Sequence, residues 1–168
     1  MTIRIVTDSS ADLPAEFVQE LGITVVPLYV RFGEEVYREQ ADISLEEFYR
    51  RLEHGSVHPV TIQPSPQDFV TVYQKLSQEA DGIVSIHISS KLSGTYNSAL
   101  QGKEMIEKGC PIEVIDSQII TVGLGLICVA AAKMAKAGQG LQEIAEAVKQ
   151  MVANVHLLGL LDTLIYLA

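Results

Sequence analysis

The sequence predicts an α/β fold: a mostly parallel sheet with helices on both faces. Short runs rich in β-branched residues alternate with longer segments of helical pattern, and several of these segments begin at a recognisable cap. Strands that alternate with helices in this way are joined by right-handed crossovers, which make the strands parallel and cover both faces of the sheet. A length of 168 residues suits one domain over residues 1–168, since domains commonly have about 100–200 residues.

The strand predictions rest on β-branched and apolar runs bounded by turn residues. The predicted strands are residues 3–7, residues 23–32, Glu35–Arg38, Gly82–His87, residues 112–115 and residues 155–161. Glu35–Arg38 is expected to pair with the run before it, across a turn at Gly33. In a parallel sheet the loops at the carboxyl ends of the strands bind ligands, so the residues after these strands are the first site candidates.

The helix predictions rest on start and stop signals. Ser44 and Glu47 have the spacing of a capping box, which opens a helix that ends near Gly55. Ser65 places a hydroxyl just before Pro66, a favoured first residue of a helix. The remaining predicted helices are residues 94–108, residues 119–137 and residues 141–153.

Charge and composition argue against several classes of function. The chain carries 12 Lys+Arg against 21 Asp+Glu, a net charge of -9, which repels nucleic acid and anionic membrane surfaces. The longest mostly apolar run, residues 119–132, is too short for a transmembrane helix of about 20 residues, and the N-terminus has no signal-peptide pattern. Cys110 and Cys128 match no zinc spacing, so we expect reduced thiols in a cytoplasmic protein without a metal.

Three loops are dense in hydroxyl groups, and the loop before residue 94 is the most informative. Ser93 is expected at the N-cap of the following helix, with Gly94 as its first residue. The start of a helix offers free N–H groups and partial positive charge, which favour an anion. Thr61, from another of these loops, is a candidate for a second hydroxyl donor. A serine before a helix also serves as an ordinary cap, and this alternative stays open.

Enzymatic alternatives find little support in the motifs. The sequence contains neither a Gly-x-Ser-x-Gly nucleophile elbow nor a phosphate-binding loop of the Gly-x-x-x-x-Gly-Lys type. Gly123 and Gly125 lack the third glycine of a dinucleotide fingerprint, and the breakers beside His54 and His58 argue against a helical metal pair. Asp8 and Asp116 each follow a predicted strand, where the commoner role of aspartate is to cap a loop.

His87 is the one remaining candidate for covalent chemistry. It ends a predicted strand just before the serine-rich loop, a position from which an imidazole can carry a phosphoryl group. The alternating pattern of the strand puts His87 on the same face as Ser85, and a half-buried structural histidine is the commoner outcome. We therefore predict a structural role for His87.

Six segments, in order, resemble the signature of the DegV family. The matching residues are 7–13 (TDSSADL), 32–38 (FGEEVYR), 63–66 (QPSP), 89–96 (SSKLSGTY), 116–117 (DS) and 161–167 (LDTLIYL). The segments extend along the whole chain, and their common order makes the match specific although each segment alone is weak.

This resemblance implies a fatty-acid-binding protein that is not itself an enzyme. Members of the family bind a long-chain fatty acid such as palmitate, and many are subunits that present its carboxylate to a separate ATP-using fatty acid kinase subunit. The residues that match the family's carboxylate site are Thr61, Ser93 and the backbone of Gly94. Ser9, Gln63, Ser90 and His87 lie in or beside the hydroxyl-rich loops and are the expected neighbours of this site. No cofactor is implied other than the bound fatty acid.

The chain also departs from the family pattern. The resemblance implies a second α/β domain after residue 168, and we expect this domain, with its basic and histidine contributions to the site, to be absent from this chain. Ile62 stands where a small hydroxyl residue is common, and Ile165 replaces a frequent glutamate. An apolar cleft left open in this way would favour self-association. The other hypotheses are a phosphoryl-carrier domain that uses His87 and a truncated fragment without a ligand.

Overall fold

The computed structural model describes residues 1–160. Its strands are β1 (Ile3–Asp8), β2 (Thr24–Val26), β3 (Tyr29–Phe32), β4 (Glu35–Arg38), β5 (Val60–Ile62), β6 (Gly82–His87) and β7 (Ile112–Asp116). Its helices are α1 (Ala15–Leu21), α2 (Leu45–His54), α3 (Pro66–Leu76), α4 (Thr95–Glu104), α5 (Thr121–Lys136) and α6 (Leu141–Asn154), with a short 3-10 turn at Ser9–Ala11.

Four strands form a parallel sheet in the order β2-β1-β6-β7. Val6 of β1 pairs with Ser85 of β6, and His87 of β6 pairs with Asp116 of β7. The carboxyl ends of β1, β6 and β7 therefore meet at one edge of the sheet. This arrangement confirms the predicted α/β class and the parallel pairing.

Each face of this sheet carries its own apolar layer. Helices α5 and α6 cover one face through buried residues such as Leu124, Ile127 and Ile144. On the other face α3 and α4 pack through Phe69, Tyr73 and Ala99 among others. Side chains alternate along β6, so Val84 and Ile86 contribute to the first layer and Ile83 to the second. Helices on both faces were predicted, and the structure confirms them.

A second, antiparallel sheet was not predicted. It has the order β4-β3-β5, and α2 follows it in the chain. The single extended run predicted for residues 23–32 is divided at Pro27 between two sheets. Pro27 has no N–H to continue the ladder. The predicted pairing of Glu35–Arg38 with the preceding strand is confirmed, since β4 pairs with β3.

The helix starts agree with the sequence more closely than the helix ends do. Ser65 accepts a hydrogen bond from the N–H of Asp68, whose carboxylate accepts one from the Ser65 N–H, a complete capping box. Ser44 makes only half of the predicted box: its hydroxyl accepts from the Glu47 N–H at 3.1 Å, but the Glu47 carboxylate binds arginines instead. Helix α4 ends at Glu104 rather than at residue 108, because Ile106 leaves the helix to pack against the core.

The predicted strand over residues 155–161 is wrong for residues 155–160. Helix α6 continues to Asn154, and the following residues form no strand. Leu158 and Leu160 are each 97% exposed, so this segment lacks the packing that would hold a strand; residue 161 lies outside the described part. Within residues 1–160, none of the helices has the length and apolar character needed to cross a membrane.

Candidate ligand site at the carboxyl ends of the parallel strands

The loop between β6 and α4, residues 89–94, is called the serine loop below. It begins where β6 ends, beside the ends of β1 and β7. The Ser89 N–H donates to the Ile119 carbonyl at 3.0 Å, and the Ser89 carbonyl accepts from the N–H groups of Leu92 and Ser93 at 2.9 and 3.1 Å. These bonds fold the loop into a tight turn that leads directly into α4.

The start of α4 presents backbone donors that have no acceptor among residues 1–160. Gly94, not Ser93, is the N-cap residue, so the predicted cap is displaced by one position. The Ser93 hydroxyl accepts a hydrogen bond from the Thr95 N–H at 3.2 Å and lies 2.8 Å from the Thr95 hydroxyl. Within residues 1–160, the N–H groups of Gly94, Tyr96 and Asn97 have no acceptor. The Ser98 N–H, by contrast, binds the Gly94 carbonyl and begins the helical ladder.

Gln63 joins the second sheet to this helix start. Its amide donates to the Ser98 hydroxyl at 3.4 Å. A Cβ atom at position 94 would lie 2.1 Å from the Gln63 amide oxygen, so Gly94 allows this close approach and an alanine would displace the amide. Of the predicted neighbours, Gln63 is therefore in direct contact with the Gly94 region.

Thr61 lies in β5, at the edge of the antiparallel sheet. The sequence did not indicate a strand here, since Val60–Ile62 is short and lies between Pro59 and Pro64. Thr61 is exposed, pairs with Val30 of β3 and makes no side-chain hydrogen bond to Ser93 or Gly94. Because Gln63 is only two residues further along, Thr61 lies within roughly 7 Å of a residue that contacts Gly94.

Ser9 and Ser90 are engaged within the protein. The Ser9 hydroxyl donates to Glu39 at 2.5 Å and accepts from the Leu28 N–H at 2.9 Å. The Ser90 hydroxyl donates to Asp116 at 2.5 Å, and the Ser90 N–H donates to the same carboxylate at 3.2 Å. Both serine side chains therefore connect neighbouring loops through hydrogen bonds.

His87 is fully buried at the end of β6, and both of its ring nitrogens are hydrogen-bonded. Nε2 lies 2.6 Å from the Ser85 hydroxyl, which lies 2.8 Å from the Tyr73 hydroxyl. Nδ1 lies 2.9 Å from the Asp8 carboxylate. The predicted Ser85–His87 face is confirmed. A phosphoryl donor cannot reach either nitrogen in this arrangement, which argues against the phosphoryl-carrier hypothesis.

The Asp8 partner of His87 was missed by sequence reasoning. Burial acts to raise the pKa of Asp8, but hydrogen bonds from His87, Ser10 and Ile88 outweigh it, and the pKa lies below the ordinary value of 3.8. A signal was present: β1 and β6 are buried runs that each end in a polar residue. If the two strands are assumed to be neighbours, this pattern pairs Asp8 with His87.

A mostly apolar cavity of about 240 Å³ lies beside the end of β1. Its walls include Ala11, Leu13, Val18, Val25, Pro27 and Glu39. Burial raises the pKa of Glu39, and the bond from Ser9 only partly offsets this effect. The volume is below the roughly 300–1,000 Å³ of common small-molecule sites, so this cavity has room for only part of a long ligand.

The glycine pair in α5 has a packing role. A Cβ atom at Gly125 would lie 2.5 Å from the Ala11 carbonyl oxygen. This position therefore brings α5 against the 3-10 turn after β1, which supports the interpretation that the pair is not a dinucleotide fingerprint. No group of residues within 1–160 has the composition and proximity to hold a metal ion.

Comparisons with known proteins identify the family. The protein-family model described as "Uncharacterised protein, DegV family" matches residues 2–168. A DegV domain-containing protein of Caldanaerobacter subterraneus is 39% identical over 165 residues, which cover 98% of this chain and 58% of the relative. A DegV domain-containing protein of Deinococcus radiodurans is 37% identical over 167 residues, which cover 99% of this chain and 59% of the relative. The chain thus spans somewhat more than half the length of these relatives.

Solved structures show the same fold. A DegV family protein from Thermus thermophilus, described for its fatty acid binding, has a TM-score of 0.82 and 36% identity, with 91% of this chain and 54% of that chain covered. DegV from Bacillus subtilis, described as a fatty acid binding protein, has a TM-score of 0.86 and 32% identity with the same coverage. A stearic acid-binding protein from Eubacterium ventriosum has a TM-score of 0.80 and 31% identity, covering 88% of this chain and 52% of that chain.

Proposed function

The chain belongs to the DegV family, and from this membership we propose that it binds the carboxylate of a long-chain fatty acid, such as palmitate, at the start of α4. The observation that carries the proposal is the set of N–H groups on Gly94, Tyr96 and Asn97, which have no acceptor among residues 1–160. Ser93 supplies a hydroxyl at the same point, and Thr61 of β5, two residues before Gln63, is the proposed second hydroxyl donor. The solved relatives described as fatty-acid-binding proteins support this ligand class.

The electrostatics of the site favour a single carboxylate. The net charge of -9 gives no general attraction for an anion, so the affinity for the headgroup must come from local donors. Backbone N–H groups at the start of a helix provide such donors, together with the positive end of the helix dipole. A hydrogen bond to a charged group contributes about 1.5–3 kcal/mol, so three or four such bonds fix the headgroup.

Enclosure of the acyl chain contributes more than the headgroup does. Each buried CH₂ group contributes about 0.8 kcal/mol, but the cavity near β1 has only about 240 Å³. We expect additional chain, of the kind that the longer relatives possess, to complete the enclosure of the acyl chain. This chain alone should then bind palmitate much more weakly than a full-length relative.

An exposed apolar surface accompanies the incomplete enclosure. Leu92, Val122, Leu126 and Leu158 are each more than half exposed, with Leu92 in the serine loop and two of the others on α5. Exposed apolar patches of this kind favour association. Light scattering on this chain and on the full-length Thermus relative, run alongside palmitate titrations, tests both expectations. Equal affinity in a monomeric sample of this chain would contradict them.

In this proposal the protein presents its bound fatty acid to a separate ATP-dependent fatty acid kinase subunit in the cytoplasm. It takes no part in the phosphorylation itself. The serine loop lies at the end of the sheet, where a partner can approach the headgroup. Cys128 is buried and Cys110 is half-buried, both as free thiols, which agrees with a reducing compartment. Formation of acyl phosphate only when chain, kinase subunit, ATP and palmitate are combined tests this role.

The direct test of fatty-acid binding is lipid extraction of the purified chain with mass spectrometry, followed by titration with palmitate and with methyl palmitate. The methyl ester keeps the acyl chain but lacks the anionic headgroup. We expect palmitate to bind at least ten-fold more tightly than the ester, from the loss of about one charge-assisted bond. No extracted lipid together with no palmitate binding would favour the hypothesis of a fragment without a ligand.

A further inference from the structure

The Asp8 carboxylate is the point where the loops after β1 and β6 are joined. One oxygen, Oδ2, accepts from His87 Nδ1 at 2.9 Å and from the Ile88 N–H at 3.1 Å. The other, Oδ1, accepts from the Ser10 N–H at 3.1 Å and from the Ser10 hydroxyl. The side chains of Asp8 and His87 have no solvent exposure, so no water competes for these bonds.

The lowered pKa of Asp8 determines the direction of its bond to His87. A carboxylate only accepts, so His87 Nδ1 carries the proton of this bond. On the other side of the ring, Nε2 lies 2.6 Å from the Ser85 hydroxyl, which lies 2.8 Å from the Tyr73 hydroxyl. The centroid of the Phe69 ring lies 5.1 Å from that of the imidazole.

These bonds lead directly to the proposed carboxylate site. The Asp8 carboxylate accepts a hydrogen bond from the Ile88 N–H. The next residue is Ser89, whose carbonyl accepts from the N–H groups of Leu92 and Ser93. We propose that Asp8, assisted by His87, is the positioning residue of the headgroup site: its carboxylate fixes the start of the serine loop, and thereby Ser93 and the free N–H groups of α4. This inference rests on the proposed function for its ligand.

An asparagine at position 8 is the discriminating substitution, since it keeps the shape of the side chain. Both aspartate oxygens accept, whereas an amide places an NH₂ group toward one of the two sets of donors. That NH₂ group would face either Ile88 and His87 or the two donors of Ser10. A loop that only needed the volume of the side chain would tolerate Asp8→Asn.

The matched control is Ser85→Ala. It removes the buried hydrogen bonds that Ser85 makes with Tyr73 and His87, but leaves every hydrogen bond of Asp8 in place. We expect Asp8→Asn to raise the dissociation constant for palmitate about ten-fold, the equivalent of one lost charge-assisted bond. Amide exchange at Leu92 and Ser93 should become about ten-fold faster in Asp8→Asn and stay unchanged in Ser85→Ala. Both variants are measured under conditions in which they are fully folded.

The downfield Nδ1–H signal of His87 gives a spectroscopic signature. It should be present in the unaltered chain and in Ser85→Ala, and shifted or lost in Asp8→Asn. Unchanged palmitate affinity and unchanged exchange in Asp8→Asn, or equal effects from Ser85→Ala, would overturn the proposal. If Asp8→Asn does not fold, His87→Gln takes its place, since it removes one donor to Asp8 and should speed exchange at Ser93 several-fold.

Failure of the positioning role is distinguishable from failure of the proposed function. Amide exchange and the His87 signal are measured without any ligand. If the protein does not bind palmitate, but exchange at Ser93 is faster only in Asp8→Asn, then Asp8 positions the loop and the ligand assignment is wrong. If palmitate binds and its affinity is the same in Asp8→Asn, then the ligand assignment stands and Asp8 has no positioning role.

Discussion

The two ends of the serine loop differ in how their polar groups are satisfied. At its start Ile88 donates to Asp8, Ser89 to Ile119 and Ser90 to Asp116. At its end, as far as residues 1–160 show, the N–H groups of Gly94, Tyr96 and Asn97 have no acceptor. Buried polar groups must be paired within the protein, whereas exposed donors remain available to solvent or to a ligand. We therefore expect the start of the loop to determine stability and its end to determine binding.

The largest effect is expected at the buried start. Asp8→Ala leaves His87, Ile88 and Ser10 without their acceptor, and each buried donor left unsatisfied lowers the free energy of unfolding by about 1–3 kcal/mol. Urea denaturation measures this change. Asp81→Ala is the control at the opposite end of the sheet, where the exposed carboxylate accepts from the Thr2 N–H and should contribute less than about 1.5 kcal/mol.

The same pair predicts a dependence on pH. Because the folded pKa of Asp8 lies below its ordinary value of 3.8, its stabilisation is present above that value and is lost as the pH falls toward the lower, folded pKa. The loss has a limiting slope of about 1.4 kcal/mol per pH unit. The difference in stability between the unaltered chain and Asp8→Ala should thus narrow below about pH 4. A constant difference across this range would contradict the assignment.

A larger effect on binding than on stability is expected at the end of the loop. Ser93→Ala combined with Thr61→Ala should weaken palmitate binding by about 1–3 kcal/mol per lost hydrogen bond. Loss of the bond from the Thr95 N–H to the Ser93 hydroxyl should lower the free energy of unfolding by only about 0.5–1.5 kcal/mol. Isothermal titration and urea denaturation separate the two quantities. Thr71→Ala is the control, since its hydroxyl donates to the Gln67 carbonyl within α3. Unchanged palmitate affinity in the double variant would remove both residues from the site.

The smallest effect is expected at Glu39, whose carboxylate accepts from Ser9 just after the carboxyl end of β1. Burial raises the pKa of Glu39, so the charged form is disfavoured by folding and Glu39→Gln should stabilise the chain at pH 7 by roughly 0.5 kcal/mol or less. The gain should shrink as the pH falls through the raised pKa, where Glu39 becomes neutral. Glu34→Gln, an exposed position, is the control. Destabilisation by Glu39→Gln would mean that the Ser9 bond requires a charged acceptor.

The sequence predicted β1, β6 and β7 well because these strands are apolar runs of five or six residues. β6 was predicted at its observed bounds, and Ser65 forms the expected cap. By contrast β5 was missed, since a strand of three exposed residues is stabilised by its neighbour β3 and not by its own composition. Residues 155–160 were misassigned to a strand because apolar composition alone does not supply a pairing partner.

For the candidate site, local signals identified single residues but not their partners. Ser93 and Gly94 follow from helix-start chemistry, which depends on adjacent residues. The Asp8–His87 pair joins positions that are distant in sequence, and the contact of Gln63 with Gly94 joins two different sheets. These contacts depend on strand order and sheet packing, which residue patterns do not specify.

The most direct test of the ligand assignment is an NMR titration of the chain with palmitate, observed at the backbone N–H signals of Gly94, Tyr96 and Asn97. We predict saturable downfield shifts of these three signals with palmitate and no such shifts with methyl palmitate. Shifts confined to Leu13, Val18 and Val25 around the cavity near β1, or an equal response to the ester, would contradict a carboxylate site at the start of α4.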